Sequence, residues 1–206
     1  MIPEMPLPIA SVKGFLSLAE GEALYRHGLQ ACASGPLLEI GSYCGRSTIY
    51  LALACRDAGG HVFAVDHHRG SEEHQPGELF HDPDLFDPRS SSVDSFYEFR
   101  RNLVRAGVEE FVIPVVAPST RFAACFQGAP GLVFIDGGHS LDAALADYRG
   151  WSTRIIPGGL LAIHDVYTDA GEGGQAPITV YRLALASGLF ETIDSVDSLR
   201  VLRRLS

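Results

Sequence analysis

The chain has 206 residues, of which 46% are hydrophobic, and its formal net charge is −9 at pH 7. This length and composition predict a globular protein with a full hydrophobic core and argue against a disordered chain. The negative charge argues against a nucleic-acid partner, and no apolar run approaches the ~18 residues that a membrane span needs.

The N-terminal part begins with an extended arm over residues 1–10, which contains three prolines. Apolar residues then recur at helical spacing, which predicts a helix over residues 14–33. Gly35-Pro36 ends this helix. We therefore treat residues 1–34 as an N-terminal arm and helix, and residues 35–206 as the main domain.

From residue 37 onward, strand-like apolar runs alternate with segments of helical spacing. Strands are predicted at 37–40, 61–65, 111–116, 132–135, 160–163, 189–193 and 199–202, and helices at 46–57, 93–106, 119–126, 142–151 and 178–186. This alternation predicts a doubly wound, Rossmann-like α/β fold in a single domain. Its seven-stranded sheet is expected to be mostly parallel, with helices on both faces.

The alternation is interrupted at residues 67–92, where three prolines and two glycines stand in a segment without clear periodicity. A loop of this length inside a compact domain is usually functional or disordered, so we expect a lid-like insertion. The irregular spacing of His67, His68, His74 and His81 disfavours a zinc site and favours a solvated or substrate-facing lid. The sequence leaves open whether the lid binds substrate or only covers a site.

The loop between the first strand and its helix carries two glycines, Gly41 and Gly45, in the sequence EIGSYCGRS. Their spacing is not G-x-G-x-x-G, so the pyrophosphate fingerprint of NAD enzymes is incomplete. Asp66 follows the second strand, at a position where an acid can bind both hydroxyls of a ribose. The glycine loop and Asp66 together predict an adenosyl cofactor, with a plain strand–helix turn as the alternative.

Acidic and imidazole side chains follow two later strands, at the point where each strand ends. Asp136 ends one strand, and His164 and Asp165 end the next. Because neighbouring parallel strands lie about 4.8 Å apart and end at the same edge, the two acids are expected close enough to share one cation. His139 follows on the loop over this edge. Alternatively, the acids cap their strands, His139 caps the next helix, and His164 is a core histidine.

The sequence resembles the class I S-adenosyl-L-methionine (SAM) methyltransferases over nearly the whole chain after residue 35. The resemblance is carried by the E-x-G-x-x-x-G spacing and by the segment FIDGGHSLDAALADYRGW…PGGLLAIHD. The resemblance is strongest to the metal-dependent O-methyltransferases that act on sugar hydroxyls of macrolides and related glycosides. It implies that Asp136, His164 and Asp165 hold a divalent metal and that His139 is the general base. The resemblance favours magnesium, whereas an imidazole ligand at His164 suits manganese or another transition metal better.

The cofactor expected from this reading is SAM. We expect it to contact the glycine loop, the acid after the second strand and nearby residues, namely Glu39, Gly41, Ser42, Tyr43, Gly45, Ser47, Asp66, His67, Ser119 and Asp136. The catechol-type methyltransferases are a weaker match, because they favour a lysine where this chain has His139.

The expected reaction is methyl transfer to a hydroxyl of a sugar or glycosylated small molecule. Polar and charged residues within 69–89 favour a polar acceptor over a phenolic one. A phenolic acceptor on the same fold and a non-catalytic module that binds an adenosyl ligand are the competing interpretations. The N-terminal arm and the charged lid are both able to serve a homodimer.

The spacing of the cysteines indicates the cellular compartment of the protein. Cys32, Cys44, Cys55 and Cys125 show no C-x-x-C spacing, which is typical of reduced thiols in a cytosolic protein. Residues 1–10 also lack the basic and apolar regions of a secretory signal. We therefore expect a cytoplasmic protein.

Overall fold

The computed structural model describes residues 3–71, 74–78, 81–138, 140–169, 171 and 173–205. Its helices are α1 (Leu18–Cys32), α2 (Arg46–Ala58), α3 (Phe96–Ala106), α4 (Ser119–Cys125), α5 (Leu141–Trp151) and α6 (Ala176–Ala186). Its strands are β1 (Leu37–Ile40), β2 (Val62–Asp66), β3 (Phe86–Asp87), β4 (Ser92–Val93), β5 (Val112–Val116), β6 (Leu132–Ile135), β7 (Leu160–Ile163), β8 (Phe190–Val196) and β9 (Leu199–Arg204).

The central sheet follows from short, continuously apolar strands that are buried on both faces, as is usual for parallel sheets. All residues of β1, β6 and β7 are buried. The sheet has seven strands in the order β5-β2-β1-β6-β7-β9-β8. Strand β9 runs in the direction opposite to the other six strands. The predicted doubly wound fold is therefore confirmed.

The register of the sheet decides where the candidate site lies. Ile40 at the end of β1 pairs with Ile135 of β6, and Ile135 pairs with Ile163 of β7. The residues that follow these three strands therefore leave the sheet at the same level. They are Gly41, Asp136 and His164.

The helices cover both faces of the sheet. One buried cluster packs α1, α2 and α3 against the sheet, and a second packs α4, α5 and α6 against the opposite face. Tyr148 and Trp151 belong to the second cluster and are therefore core residues. None of the helices that the structure describes is long and apolar enough to cross a membrane.

Two predicted helix starts differ by three or more residues from those in the structure. Helix α1 begins at Leu18 rather than at residue 14, because Ser17 accepts a hydrogen bond from the Glu20 N–H and caps the helix there. Helix α3 begins at Phe96 rather than at residue 93, because Val93 pairs with Phe86 in the β3–β4 hairpin. This hairpin, with a 3₁₀ helix at Pro83–Leu85, gives regular structure to part of the segment 67–92, which was predicted to be irregular.

Candidate active site

The glycine loop after β1 takes a backbone path that is closed to other residues. Gly41 has φ of +84°, and a Cβ atom at this position would lie 2.0 Å from the carbonyl oxygen of Asp136. Gly45 has φ of +91° and stands directly before α2. The loop can therefore pass against the start of the β6–α5 loop only because residue 41 has no side chain.

Asp66 at the end of β2 ties this loop to the sheet edge. One carboxylate oxygen accepts hydrogen bonds from the N–H groups of Ser42 (3.0 Å) and Tyr43 (2.8 Å), and the other accepts from the N–H of His68 (2.7 Å). A carboxylate has about four acceptor sites, so Asp66 keeps capacity for a further donor. The structure thus brings Ser42, Tyr43 and Asp66 together.

Glu39 and Ser47 lie beneath the loop. Glu39 is fully buried, and its two carboxylate oxygens accept hydrogen bonds from the hydroxyls of Ser47 (2.6 Å) and Thr48 (2.5 Å). Burial raises the pKa of Glu39 to about 8, although the two hydroxyls act in the opposite direction. These bonds join β1 to the first turn of α2, which places both residues as supports of the loop.

His67 and Ser119, which were also predicted to contact the cofactor, lie directly after β2 and at the start of α4. The Tyr43 ring lies 5.3 Å from the His74 ring, centroid to centroid, and His67 accepts a hydrogen bond from the N–H of Arg69 (3.1 Å). Ser119 is the first residue of α4, and its hydroxyl donates a hydrogen bond to Asp147 of α5. Burial raises the pKa of Asp147 to about 6. Asp147 was not among the residues singled out from the sequence.

Asp136, His164 and Asp165 converge at the ends of β6 and β7, as their positions after paired strands predicted. Nδ1 of His164 lies 3.0 Å from Oδ1 of Asp136 and 3.5 Å from Oδ1 of Asp165. One potential ligand atom from each of the three residues lies within 4.8 Å of the others. Asp165 has φ of +57°, a left-handed conformation that non-glycine residues seldom adopt.

His164 is buried, but it faces acids rather than a purely hydrophobic layer. Its Nε2 atom lies 3.1 Å from Oε2 of Glu20, a buried residue in the first turn of α1. Burial alone would lower the pKa of His164, but Asp136, Asp165 and Glu20 raise it well above its ordinary value. Glu20 was missed because, in sequence, it resembles an ordinary glutamate of a helix capping box.

The predicted base, His139, lies outside the described residues. Its neighbours Gly138 and Ser140 are described, and the Ser140 hydroxyl accepts a hydrogen bond from the N–H of Ala143 (3.4 Å). Ser140 is therefore the N-terminal cap of α5.

A cavity of about 370 Å³ opens beside this cluster. It lies between the segment before α1, the loop after β7 and the β8–β9 turn, and its walls include Phe15, Ser17, Glu20, Tyr167, Asp197 and Arg200. Its volume falls in the range of about 300–1,000 Å³ that is usual for small-molecule sites. The Tyr167 hydroxyl donates to Oδ1 of Asp165 (3.4 Å), so the cavity adjoins the acid–imidazole cluster.

A family model described as a methyltransferase domain matches residues 38–166, which include the glycine loop, Asp66 and the Asp136–His164–Asp165 cluster. The chain belongs to this methyltransferase family. With its sheet order and its glycine loop, it is a class I SAM-dependent methyltransferase.

Solved structures share the fold of this methyltransferase. The O-methyltransferase NovP matches with a TM-score of 0.70 and 16% identity, over 92% of this chain and 81% of NovP. TomG of Streptomyces achromogenes, an O-methyltransferase involved in tomaymycin synthesis and solved with SAM, matches at 0.64 and 17%, over 93% and 82%. An O-methyltransferase of Bacillus cereus solved with S-adenosylhomocysteine (SAH) matches at 0.63 and 18%, over 96% and 86%.

Proposed function

We propose that this methyltransferase moves the methyl group of SAM to a hydroxyl oxygen of a small polar acceptor, with a sugar hydroxyl as the favoured acceptor. The observation that carries the proposal is the position of Asp136, His164 and Asp165. They stand at the sheet edge on which the glycine loop opens, beside a cavity large enough for a small molecule.

In this proposal the glycine loop and Asp66 hold the cofactor. The free N–H groups at the start of α2 suit the carboxylate of SAM, and the remaining acceptor site of Asp66 suits a ribose hydroxyl. Bound SAM would supply a methyl group on its sulfonium: the acceptor oxygen would attack the methyl carbon in line with the C–S bond, and S-adenosylhomocysteine would leave. Glu39 keeps the loop in place from below through its bonds to Ser47 and Thr48.

The donor set at Asp136, His164 and Asp165 fits a divalent cation. Two carboxylates and one imidazole nitrogen within 4.8 Å of one another form a mixed oxygen and nitrogen site, which suits manganese or another transition metal, while the family resemblance favours magnesium. Binding there would replace the proton that Nδ1 of His164 holds between the two acids. A cation bound at this site would lower the pKa of a coordinated hydroxyl and fix its position.

His139 is the base in this proposal. In the sequence it follows Gly138 directly and stands three residues after Asp136. An alcohol is a weak nucleophile at neutral pH, so its proton must leave as the oxygen attacks. A neutral imidazole near the acceptor would take that proton during transfer.

The cavity walls favour a polar acceptor. Phe15 and Tyr167 offer two aromatic rings, while hydroxyl, carboxylate and guanidinium groups make up most of the other walls, including those of Ser17, Asp197 and Arg200. Such a lining can pack one face of a sugar ring and bind its hydroxyls. A phenolic acceptor is the second candidate, because the same rings would stack on a phenol.

The test is an acceptor screen with isotopically labelled SAM, covering glycosides, free sugars, catechols and simple phenols. The proposal expects label in an O-methyl group of a glycoside or sugar, identified by NMR of the purified product. Label on phenols alone would replace the sugar proposal with the phenolic one. SAH binding without transfer to any compound would favour the non-catalytic module.

The proposal includes a cytoplasmic location and a homodimer, both carried over from the sequence. Cys32, Cys44, Cys55 and Cys125 are all free thiols in the structure, which suits a reducing compartment. Light scattering after size-exclusion chromatography tests the homodimer directly.

A further inference from the structure

Glu20 has an unusual environment for a residue in a capping box. Such glutamates usually lie on the helix surface, whereas Glu20 is only 2% exposed. It reaches across to His164, which lies 144 residues further along the chain. A buried carboxylate needs partners for its charge, and the identity of these partners shows what Glu20 does.

Four donors surround the Glu20 carboxylate. Oε1 accepts from the N–H (2.9 Å) and the hydroxyl (2.7 Å) of Ser198, and Oε2 accepts from the N–H of Ser17 (2.8 Å) and faces Nε2 of His164 (3.1 Å). Backbone N–H groups can only donate, so both oxygens are acceptors. With Glu20 ionised, neither oxygen has a proton to give, so the nitrogen that faces Oε2 must carry one, which makes Nε2 of His164 a donor.

This contact decides which imidazole nitrogen is presented to the other acids. With Nε2 protonated and pointing at Glu20, only Nδ1 is directed toward Asp136 and Asp165. In metalloproteins, a ligating histidine usually donates its other N–H to a carboxylate or carbonyl, which fixes the tautomer and the ring orientation. Glu20, His164 and the Asp136–Asp165 pair have this arrangement.

We propose that Glu20 is a positioning residue that holds His164 as an Nδ1 ligand for a divalent cation. The inference rests on the proposed function, because it concerns how one of the proposed cation ligands is held. It adds that the N-terminal helix takes part in the cation site, through a residue outside the family match at 38–166. The competing explanation is purely structural, with Glu20 capping α1 and anchoring the β8–β9 turn through Ser198.

Glu20→Gln separates the two explanations. An amide has one acceptor oxygen, so its NH₂ group must face either Ser198 or the side of Ser17 and His164. In the first orientation the NH₂ meets the Ser198 N–H, and Nε2 keeps only a neutral acceptor, which makes His164 a weaker ligand. In the second orientation the NH₂ donates to Nε2 and moves the imidazole proton to Nδ1. Ser198→Ala is the matched control, because it removes a donor to Glu20 and leaves the contact with His164.

The experiment titrates chelator-treated parent, Glu20→Gln and Ser198→Ala proteins with Mn²⁺ and follows free Mn²⁺ by electron paramagnetic resonance. Outer-shell partners of this kind are worth about 10- to 100-fold in metal affinity, so Glu20→Gln should bind Mn²⁺ about 10- to 100-fold more weakly. Ser198→Ala should bind Mn²⁺ like the parent, and all three proteins should bind SAH equally in calorimetry.

Each contrary result has a separate meaning. Equal Mn²⁺ affinity in Glu20→Gln and parent overturns the role of Glu20 and leaves the proposed cation site standing. An equal loss in Ser198→Ala also overturns that role, because the turn anchor then accounts for the effect. A parent that shows no saturable Mn²⁺ binding overturns both the inference and the cation site.

A measurement on the parent alone covers the case in which Glu20→Gln does not fold. In protein with ¹⁵N-labelled histidine and bound Zn²⁺, the imidazole nitrogen shifts should show His164 bound through Nδ1 and protonated at Nε2. The His164→Gln spectrum assigns the signal. Zinc on Nε2 of His164, or a proton on its Nδ1, refutes the inference.

Discussion

Replacing Asp66 by asparagine tests the cofactor half of the proposal most sharply. The amide keeps the shape of the side chain but has one acceptor oxygen instead of two, and it carries no charge. Asp66 now accepts from the N–H groups of Ser42, Tyr43 and His68. In Asp66→Asn at least one of these groups faces an NH₂ group, which should cost about 1–3 kcal/mol of folding free energy.

The loss of one acceptor oxygen and of the charge also predicts the effect on cofactor affinity. One acceptor site of Asp66 is left for a ribose hydroxyl, and the amide weakens or loses this charge-assisted hydrogen bond, which costs about 1.5–3 kcal/mol. This corresponds to a roughly 10- to 150-fold higher Kd for SAH. Isothermal titration calorimetry with SAH measures this change, and urea unfolding measures the stability.

The control is Asp94→Asn, because Asp94 also accepts a backbone N–H, that of Phe96 (3.0 Å), but stands outside the glycine loop. This variant should bind SAH like the parent. A folded Asp66→Asn protein with unchanged SAH affinity would remove Asp66 from the cofactor site and refute the reasoning.

Three further predictions concern the loop, a buried acid and the base. Gly41→Ala should lower the free energy of unfolding, measured by chemical unfolding, by at least ~3 kcal/mol. The reason is that the left-handed φ and the Cβ atom 2.0 Å from the Asp136 carbonyl oxygen cannot both be relieved by a local shift. A loss below ~1 kcal/mol would show that the loop moves freely. The pKa of Asp147 is raised from 3.8 to about 6 in the folded protein, so protonation of Asp147 stabilises the fold. This contribution to the free energy of unfolding is complete below about pH 4 and is lost as the pH rises through about 6. Urea unfolding of parent and Asp147→Asn should therefore diverge by about 3 kcal/mol between these pH values, and parallel curves would contradict the raised pKa. His139→Ala should keep SAH binding and lose roughly 10²–10⁴-fold in kcat. Part of this loss should return at high pH, where hydroxide replaces the base. A variant as fast as the parent would rule out His139 as the base.

The sequence predicts the part of the site that depends on neighbouring strands. Asp136 and His164 follow four-residue apolar runs, and such runs reveal strand ends locally. Once the order of the sheet is known, the two residues must leave it side by side, which the pairing of Ile135 with Ile163 confirms. The convergence of the acids was predictable for this reason.

The sequence does not predict the contacts that depend on how helices pack on the sheet. Glu20 meets His164 only because α1 lies against the same edge, and no local pattern reports that approach. The same holds for Ser119 and Asp147, which belong to α4 and α5. The β3–β4 hairpin was missed because two-residue strands are too short to show a period.

In the proposed function, Asp136, His164 and Asp165 hold a cation that methyl transfer needs and SAM binding does not. The most direct measurement compares methyl transfer from labelled SAM, to an acceptor found in the screen, in excess chelator and after adding back Mn²⁺ or Mg²⁺. Calorimetry with SAH runs in the same buffers. We expect that chelation abolishes transfer, that Mn²⁺ or Mg²⁺ restores it, and that SAH affinity stays the same. Full transfer in excess chelator would contradict this proposal.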